Sequence, residues 1–371
     1  MTSTFPLLNP AVTPISGASC HVVAEMGLCM EGDTNTASRM VAEAAAAGAW
    51  GVKVQLLRPD HLATSDAAPY WSDHLGNATQ REAFARSRPL PYDAFGPLRS
   101  EAATLGLAFL ATPFDLDAVE ACISLGVDGI KIASGDLTNE PLLQAAADAA
   151  FRLGVPLVVS TGAATADEIW NAQATILVSS GLVNVVWLAC TLAYPTPTAE
   201  AHIARIPALG NLVGANVPGS SRAMVGYSDH TVDDFTSLAA AAAGAVLVEK
   251  HFTLGDAHNT PDNAMALDPF ALASYVVNAD AGALLRGEGR LVPHGVEEAA
   301  RHGARRSVAA AHDLAPGDVL APGDLTALRP ATGLPPSLTS RLYGTAVVRP
   351  VPQGALLAPD DLADPERARL P

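Results

Sequence analysis

Between His21 and Phe252 the chain repeats one phrase: an alanine-rich stretch of helical texture, a glycine, and then a short β-branched run. The runs are HVVAEM from His21, GVKVQL from Gly51, LAFLATP from Leu107, GIKIAS from Gly129, PLVVST from Pro156, VVWLAC from Val185, AMVGYSD from Ala223 and AVLVEKHF from Ala245. They are apolar at successive positions, as strands covered on both faces must be, which is the mark of a parallel sheet under helices. Most gaps hold one helix, so eight βα units predict an α/β fold of the closed (β/α)8 TIM-barrel type, with a doubly wound open sheet as the competing arrangement. The gap between the second and third runs is wider. Its aromatic, charged insertion from Arg58 to about Tyr92 is placed to cover the mouth of the barrel.

After Gly287 the texture changes to Pro, Gly and Asp punctuation with short hydrophobic pieces. At 371 residues the chain also exceeds one ordinary domain. We expect a barrel over residues 1–287, a linker with a short helix over 288–304, and a small domain over 305–371. Inside the latter, DLAPGDVLAPGDL from Asp313 is echoed by PVPQGALLAPDDL from Pro350, which predicts two related turn-and-strand units.

The formal charge is -16, from 38 acidic against 22 basic residues, which repels nucleic acid and anionic lipid and favours a small-molecule partner. The N-terminal stretch has no basic region followed by a long apolar one, and no apolar stretch is long enough to span a bilayer, so a cytoplasmic protein is expected. Cys20, Cys29, Cys122 and Cys190 show neither CxxC nor zinc-type spacing, and buried thiols are expected.

In such a barrel the active site lies at the C-terminal ends of the strands. Those ends supply Glu25, Lys53, Gln55, Thr112, Lys131, Ser134, Ser160, Thr161, Ser228, Asp229, His230, Glu249, Lys250 and His251. Cations beside hydroxyls suit an anionic, phosphorylated substrate, although each Ser or Thr has helix N-capping as its alternative role. Only three basic residues are lysines, Lys53, Lys131 and Lys250, in a chain that otherwise uses arginine. Side chains alternate along a strand, so Lys53 shares a face with Gln55 and Glu249 with His251, while Lys250 points to the helix layer or into a salt bridge. His230 and His251 end adjacent strands and could share one divalent ion, for which two imidazoles suit Mn, Fe, Co or Zn better than Ca; with ten histidines in the chain, a coincidental pair is the alternative.

The same positions carry a family resemblance over nearly the whole chain. VAEMG at Val23, AGAWGVKVQ at Ala47, ATPFD at Ala111, KIASGDLTN at Lys131, VSTGAAT at Val159, YPTP at Tyr194, VGYSDHT at Val225, EKHFTL at Glu249, PDNAMALDP at Pro261, RRSV at Arg305 and RPATGLPP at Arg329 together resemble the N-acetylneuraminate synthase family, with its pseudaminic and legionaminic acid synthases. The small domain resembles the antifreeze-like (SAF) domain of these enzymes. The resemblance implies a transferase that condenses phosphoenolpyruvate with a sugar-type aldehyde and releases phosphate. It implies phosphoenolpyruvate binding by Lys53, Thr112, Lys131, Ser134, Ser160 and Ser228, with Glu25, Lys53 and Lys131 catalytic. It further implies a divalent metal on His230 and His251, Mn2+ foremost with Mg2+ or Co2+ as alternatives. Gln55, Tyr194 and Asp262 resemble acceptor contacts, and Arg329 resembles the arginine that enters the partner's barrel in a domain-swapped homodimer.

Several positions depart from the family pattern. LCMEG from Leu28 replaces the common NHNG, Leu192 replaces a polar residue, Asn263 stands in PDN where PDH is common, and Asp136 replaces a glutamate. The insertion holding Trp71 and Phe84 is closer to the pseudaminic type. The reaction is therefore expected to be kept with an acceptor other than N-acetylmannosamine. A metal-dependent barrel aldolase that retains the phosphate and a catalytically silent sugar-phosphate binding protein are the competing readings. Phosphate release separates the former, while Glu25, Lys53 and both histidines weigh against the latter.

Overall fold

The computed structural model describes residues 4–5, 12–71, 79–180, 184–214, 223–255 and 260–369. Part of the insertion, residues 72–78, lies outside them. Contacts divide the chain into two compact units, Met1–Glu288 and Gly289–Pro371.

The first unit opens with a short antiparallel pair, β1 (Thr4–Phe5) and β2 (Ile15–Ser16). Eight parallel strands follow: β3 (His21–Glu25), β4 (Gly51–Leu56), β5 (Ala108–Pro113), β6 (Gly129–Ile132), β7 (Leu157–Ser160), β8 (Val185–Cys190), β9 (Ala223–Asp229) and β10 (Leu247–His251). They pair in sequence order, and β10 pairs with β3 to close the barrel. That closure excludes the open doubly wound sheet. All eight strands fall inside the runs read from the sequence.

Local chemistry explains the repeated phrase. The helix Leu116–Leu125 starts where the Asp115 carboxylate accepts from the Ala118 amide at 2.7 Å, and it ends at Gly126, whose φ of 61° a side chain would resist. Thr165 and Glu168 form a reciprocal capping box at the start of the helix Ala166–Ser179. The outward faces of the strands join the helices in one large core that includes Val52, Val54, Phe109, Ile130 and Trp187.

Inside the barrel the period of two sorts residues by height. Val23, Ala108, Leu110, Val158, Leu188, Met224 and Leu247 form an apolar floor, joined by Val12 and Ile15 from the N-terminal segment. Above them on the same faces stand Glu25, Lys53, Thr112, Lys131, Ser160, Ser228, Glu249 and His251, which line a cavity. Seven of the eight strands, all but β8, thus carry apolar residues at their start and a cavity-lining polar residue at their end.

The second unit contains the short helix Glu298–Ala304 and an antiparallel pair, β11 (Ser307–Ala310) with β12 (Leu325–Leu328). Its core includes Val308, Leu320, Leu342, Val347 and Leu357. The two echoing segments pair with each other: Leu314 and Val351 exchange both backbone hydrogen bonds, at 2.9 and 3.0 Å. All four cysteines are free and buried, as expected.

Candidate active site

A cavity of about 320 Å³ occupies the C-terminal mouth of the barrel. Of the residues named from the sequence, Glu25, Lys53, Gln55, Thr112, Lys131, Ser134, Ser160, Tyr194, Ser228, His230, His251 and Asp262 all line it. Arg329 does not belong to this set; it is exposed in the second unit, immediately after β12. Thr161 donates to the Leu188 carbonyl at 3.0 Å and serves the backbone.

Charge at the cavity floor is concentrated on two lysines and two glutamates. Lys53 donates to Thr112 Oγ1 at 2.9 Å, forms an ion pair with Glu25 Oε2, and stands 3.6 Å from Glu249 Oε1. Burial pulls its ammonium down, but Glu249 and Glu25 outweigh burial and hold it above the ordinary lysine value. Lys131 donates to the Ile132 carbonyl at 3.0 Å and lies 3.8 Å from Glu249 Oε2. Burial there prevails over Glu249, and the Lys131 ammonium titrates below the ordinary value.

The two glutamates are pushed apart in the same way. Burial alone would raise Glu249, but Lys131 and Lys53 on either side bring it down to about 2. Glu25 is fully buried and, beyond the Lys53 ion pair, neither of its oxygens has a hydrogen-bond partner. Burial carries it up to about 7, with Lys53 opposing and Glu249 reinforcing. Paired carboxylates of opposite protonation state equip a site for proton transfer on one and charge compensation on the other. Glu249 is among the strand-end residues read from the sequence, which assigns it no role. Its signal was the alternation that puts it on the face of His251.

Hydroxyls line the cavity beside these charges. Ser160 Oγ is buried without a partner, Ser228 Oγ donates to Glu249 Oε1 at 3.3 Å, and Ser134 Oγ accepts from the Gly162 amide at 2.9 Å. Gly162 admits this approach because a Cβ there would stand 2.7 Å from Ser134 Oγ.

His230 and His251 face each other with ring centroids 5.5 Å apart. His230 Nδ1 donates to the Thr191 carbonyl at 3.1 Å, which leaves Nε2 as the nitrogen with a free lone pair. His251 Nδ1 is buried without a hydrogen bond, 3.6 Å from Asp262 Oδ2. Burial lowers His230 to about 4 and His251 to about 3, with neighbouring positive charge adding to the effect. Both are therefore neutral at pH 7, the form a cation requires. Among the described residues no group of three or more His, Cys, Asp or Glu is arranged around a common ion position. The neutral imidazole pair, with one unpartnered buried nitrogen, fits a two-ligand divalent site with open positions.

Tyr194 stacks on His230 with centroids 4.2 Å apart, and Tyr70 from the insertion meets Tyr194 edge-on at 5.7 Å. Asp262 accepts from the Leu28 amide at 2.9 Å, so the altered loop after β3 is tied to the short helix Pro261–Ala264. Leu28, Leu57 and Phe84 form an apolar cluster with Leu62, Trp71 and Phe114, and all six line the cavity. The insertion thus walls the mouth, as its composition predicted. Asn263, in place of the family histidine, accepts from Thr260 Oγ1 at 2.8 Å and donates to Cys29 Sγ at 3.5 Å, closing the altered positions on each other.

Comparison with known proteins agrees with this geometry. Residues 40–290 match the NeuB family and residues 305–363 the SAF domain. The chain is 30% identical over 347 residues to the N,N'-diacetyllegionaminic acid synthase of Legionella pneumophila, covering 92% of this chain and 94% of that protein. It is 32% identical over 259 residues to the N-acetylneuraminate-9-phosphate synthase of Mus musculus, covering 69% and 68%. The crystal structure of N-acetylneuraminic acid synthetase from Leptospira borgpetersenii serovar Hardjo-bovis, in complex with citrate, superposes with a TM-score of 0.67 at 28% identity, covering 80% of this chain and 95% of that one. Barrel, terminal domain and matched sequence together establish that the chain belongs to the NeuB family of sialic-acid-type synthases.

Proposed function

We propose that this synthase joins C3 of phosphoenolpyruvate to the carbonyl carbon of an open-chain, sugar-type aldehyde, adds water at C2 and releases phosphate, yielding a 2-keto-3-deoxy acid. The observation that carries this reading is the buried pocket in which two lysines stand over a single firmly ionised carboxylate, with Ser160 Oγ unpartnered. Such a pocket is short of negative charge and of hydrogen-bond partners, and a phosphorylated carboxylic acid supplies both.

Lys53 and Lys131 would hold the anion, with Thr112, Ser134, Ser160 and Ser228 fixing its orientation. Glu25 would take a proton from the attacking water or return one to the new hydroxyl, for which a value of about 7 is suited. His230 and His251 would hold a divalent cation, Mn2+ first and Mg2+ or Co2+ otherwise, which supplies Lewis-acid polarisation of the aldehyde oxygen when bound. Gln55, Tyr194 and Asp262 would contact the acceptor. The apolar wall around Leu28 and Phe84 supports an acceptor other than N-acetylmannosamine, one that presents an apolar group there. The test is phosphate release from phosphoenolpyruvate with Mn2+ across aldoses, amino sugars and nucleoside aldehydes. Release that needs one of these aldehydes supports the condensation; carbon-carbon bond formation without phosphate release points to an aldolase.

Glu25 also sets a pH dependence. Below about 7 its carboxyl is neutral and the pocket carries two ammonium charges against Glu249 alone; above that value a second carboxylate appears. Between pH 6 and 8, phosphoenolpyruvate affinity in chelator should weaken by about tenfold relative to Glu25→Gln, which has no proton to lose. Parallel pH profiles for the two proteins would contradict the assignment.

Arg329 completing the barrel of a second subunit is a further part of the proposal, supported by the family resemblance and by its exposure. Chains carrying Arg329→Ala and Lys131→Ala, refolded as a mixture, should then regain about a quarter of native activity under two-fold pairing. Activity no higher than the average of the parents would mean that Arg329 serves its own barrel or no site at all. Among the described residues no helix is long and apolar enough to cross a membrane. A cytoplasmic location, where phosphoenolpyruvate is formed, goes with this reading.

A further inference from the structure

Behind the two histidines, on the outer face of the barrel wall, lies a buried polar network whose side chains do not line the cavity. Asp229 and Lys250 are directly opposite in the ladder between β9 and β10, and both are fully buried. Lys250 Nζ donates to Asp229 Oδ2 at 3.1 Å, to the Thr231 carbonyl at 2.5 Å and to Thr231 Oγ1 at 3.3 Å, so all three of its protons are used. Asp229 Oδ1 accepts from the Thr231 amide at 2.9 Å and from Thr231 Oγ1 at 2.8 Å. Its Oδ2 also accepts from Tyr275 Oη at 2.8 Å, which ties the network to the helix Pro269–Arg286.

The residues between these partners are the ones that face the cavity. His230 is flanked by Asp229 and Thr231, and Lys250 is flanked by Glu249 and His251. Ser228, His230, Glu249 and His251 line the cavity while Asp229 and Lys250 point away from it, as the strand period requires. A buried ion pair is a weak source of net stability, since two apolar residues of similar volume serve as well. What this pair does supply is a fixed distance between two strand ends, each of which presents one imidazole. A lysine fits because its compact ammonium directs three protons to three acceptors, which the planar fork of arginine would not match.

We propose that Lys250, Asp229, Thr231 and Tyr275 form a positioning network that sets the separation of His230 and His251, and so governs divalent-cation affinity without touching the anion pocket. The inference rests on the two-histidine reading of the site. It is tested on the full chain with Mn2+ as the probe, free Mn2+ being measured by electron paramagnetic resonance, and with phosphoenolpyruvate binding measured separately in chelator. Lys250→Met combined with Asp229→Asn removes both charges together, so neither is left buried alone. We expect this double variant to fold, to bind phosphoenolpyruvate within about threefold of the native chain, and to lose about 10- to 100-fold in Mn2+ affinity.

Native Mn2+ affinity in the folded double variant would overturn the network's role while leaving the histidine site intact. A native chain that binds neither Mn2+ nor Co2+, or that binds them equally after His230→Ala, would overturn the histidine site and the network with it. Should the double variant fail to fold, Tyr275→Phe keeps the ion pair and removes one hydrogen bond. A loss of several-fold in Mn2+ affinity with unchanged phosphoenolpyruvate binding is then expected, and no loss would overturn the proposal.

Discussion

Lys131→Met is expected to lower kcat/KM for phosphoenolpyruvate by about 10²- to 10³-fold while leaving the fold intact. The side chain donates one hydrogen bond, to the carbonyl of the next residue, and lies 3.8 Å from Glu249. Methionine fills nearly the same volume, so the packing of the floor is preserved while the charge is lost. Lys53 is a poorer choice for this experiment. It is bound to Glu25, Glu249 and Thr112 at once, and its loss would leave two buried carboxylates without their nearest counterion. Steady-state kinetics with thermal unfolding of the same preparation checks the expectation. A variant within threefold of native activity would remove Lys131 from the anion pocket.

Removing the imidazole of His251 should have a larger effect, taking turnover below about 0.1% of the native rate. His251 Nδ1 has no hydrogen-bond partner, so truncation to alanine removes no hydrogen bond at that nitrogen, and thermal unfolding of the variant separates a loss of function from a loss of fold. His230→Ala should be equally severe for turnover but somewhat costlier to stability, because the Thr191 carbonyl loses one of its two side-chain donors and keeps the other, Thr196 Oγ1. Two ligands leave no redundancy in holding a cation. Full activity of His251→Ala after exhaustive chelation would contradict the cation's role.

How much of this was legible in the sequence depends on the length scale of the interaction. The strands were legible because burial on both faces leaves continuous apolar runs, and the period of two then put Lys53 with Gln55 on one face and Lys250 opposite to Glu249 and His251. Which face is the inner one comes from the structure. The salt bridge expected for Lys250 is the Asp229 pair. The same period put Glu249 on the inner face, but its importance depends on Lys53 and Lys131 converging from β4 and β6, which no local pattern records. Nor could the plug formed by Val12 and Ile15 be read, since two residues of strand leave no periodicity. Tyr70 was hidden for another reason: its contact with Tyr194 joins residues brought together only by barrel closure.

The central claim is that phosphate leaves by cleavage of the C2–O bond of phosphoenolpyruvate as a new carbon-carbon bond forms at C3. Phosphoenolpyruvate labelled with oxygen-18 in the bridging position tests it directly, with the aldehyde that supports the fastest phosphate release. The account predicts that released phosphate retains the label and that the 2-keto group of the product takes its oxygen from water. Label found in the organic product, with unlabelled phosphate, would mean cleavage of the P–O bond and would contradict the mechanism.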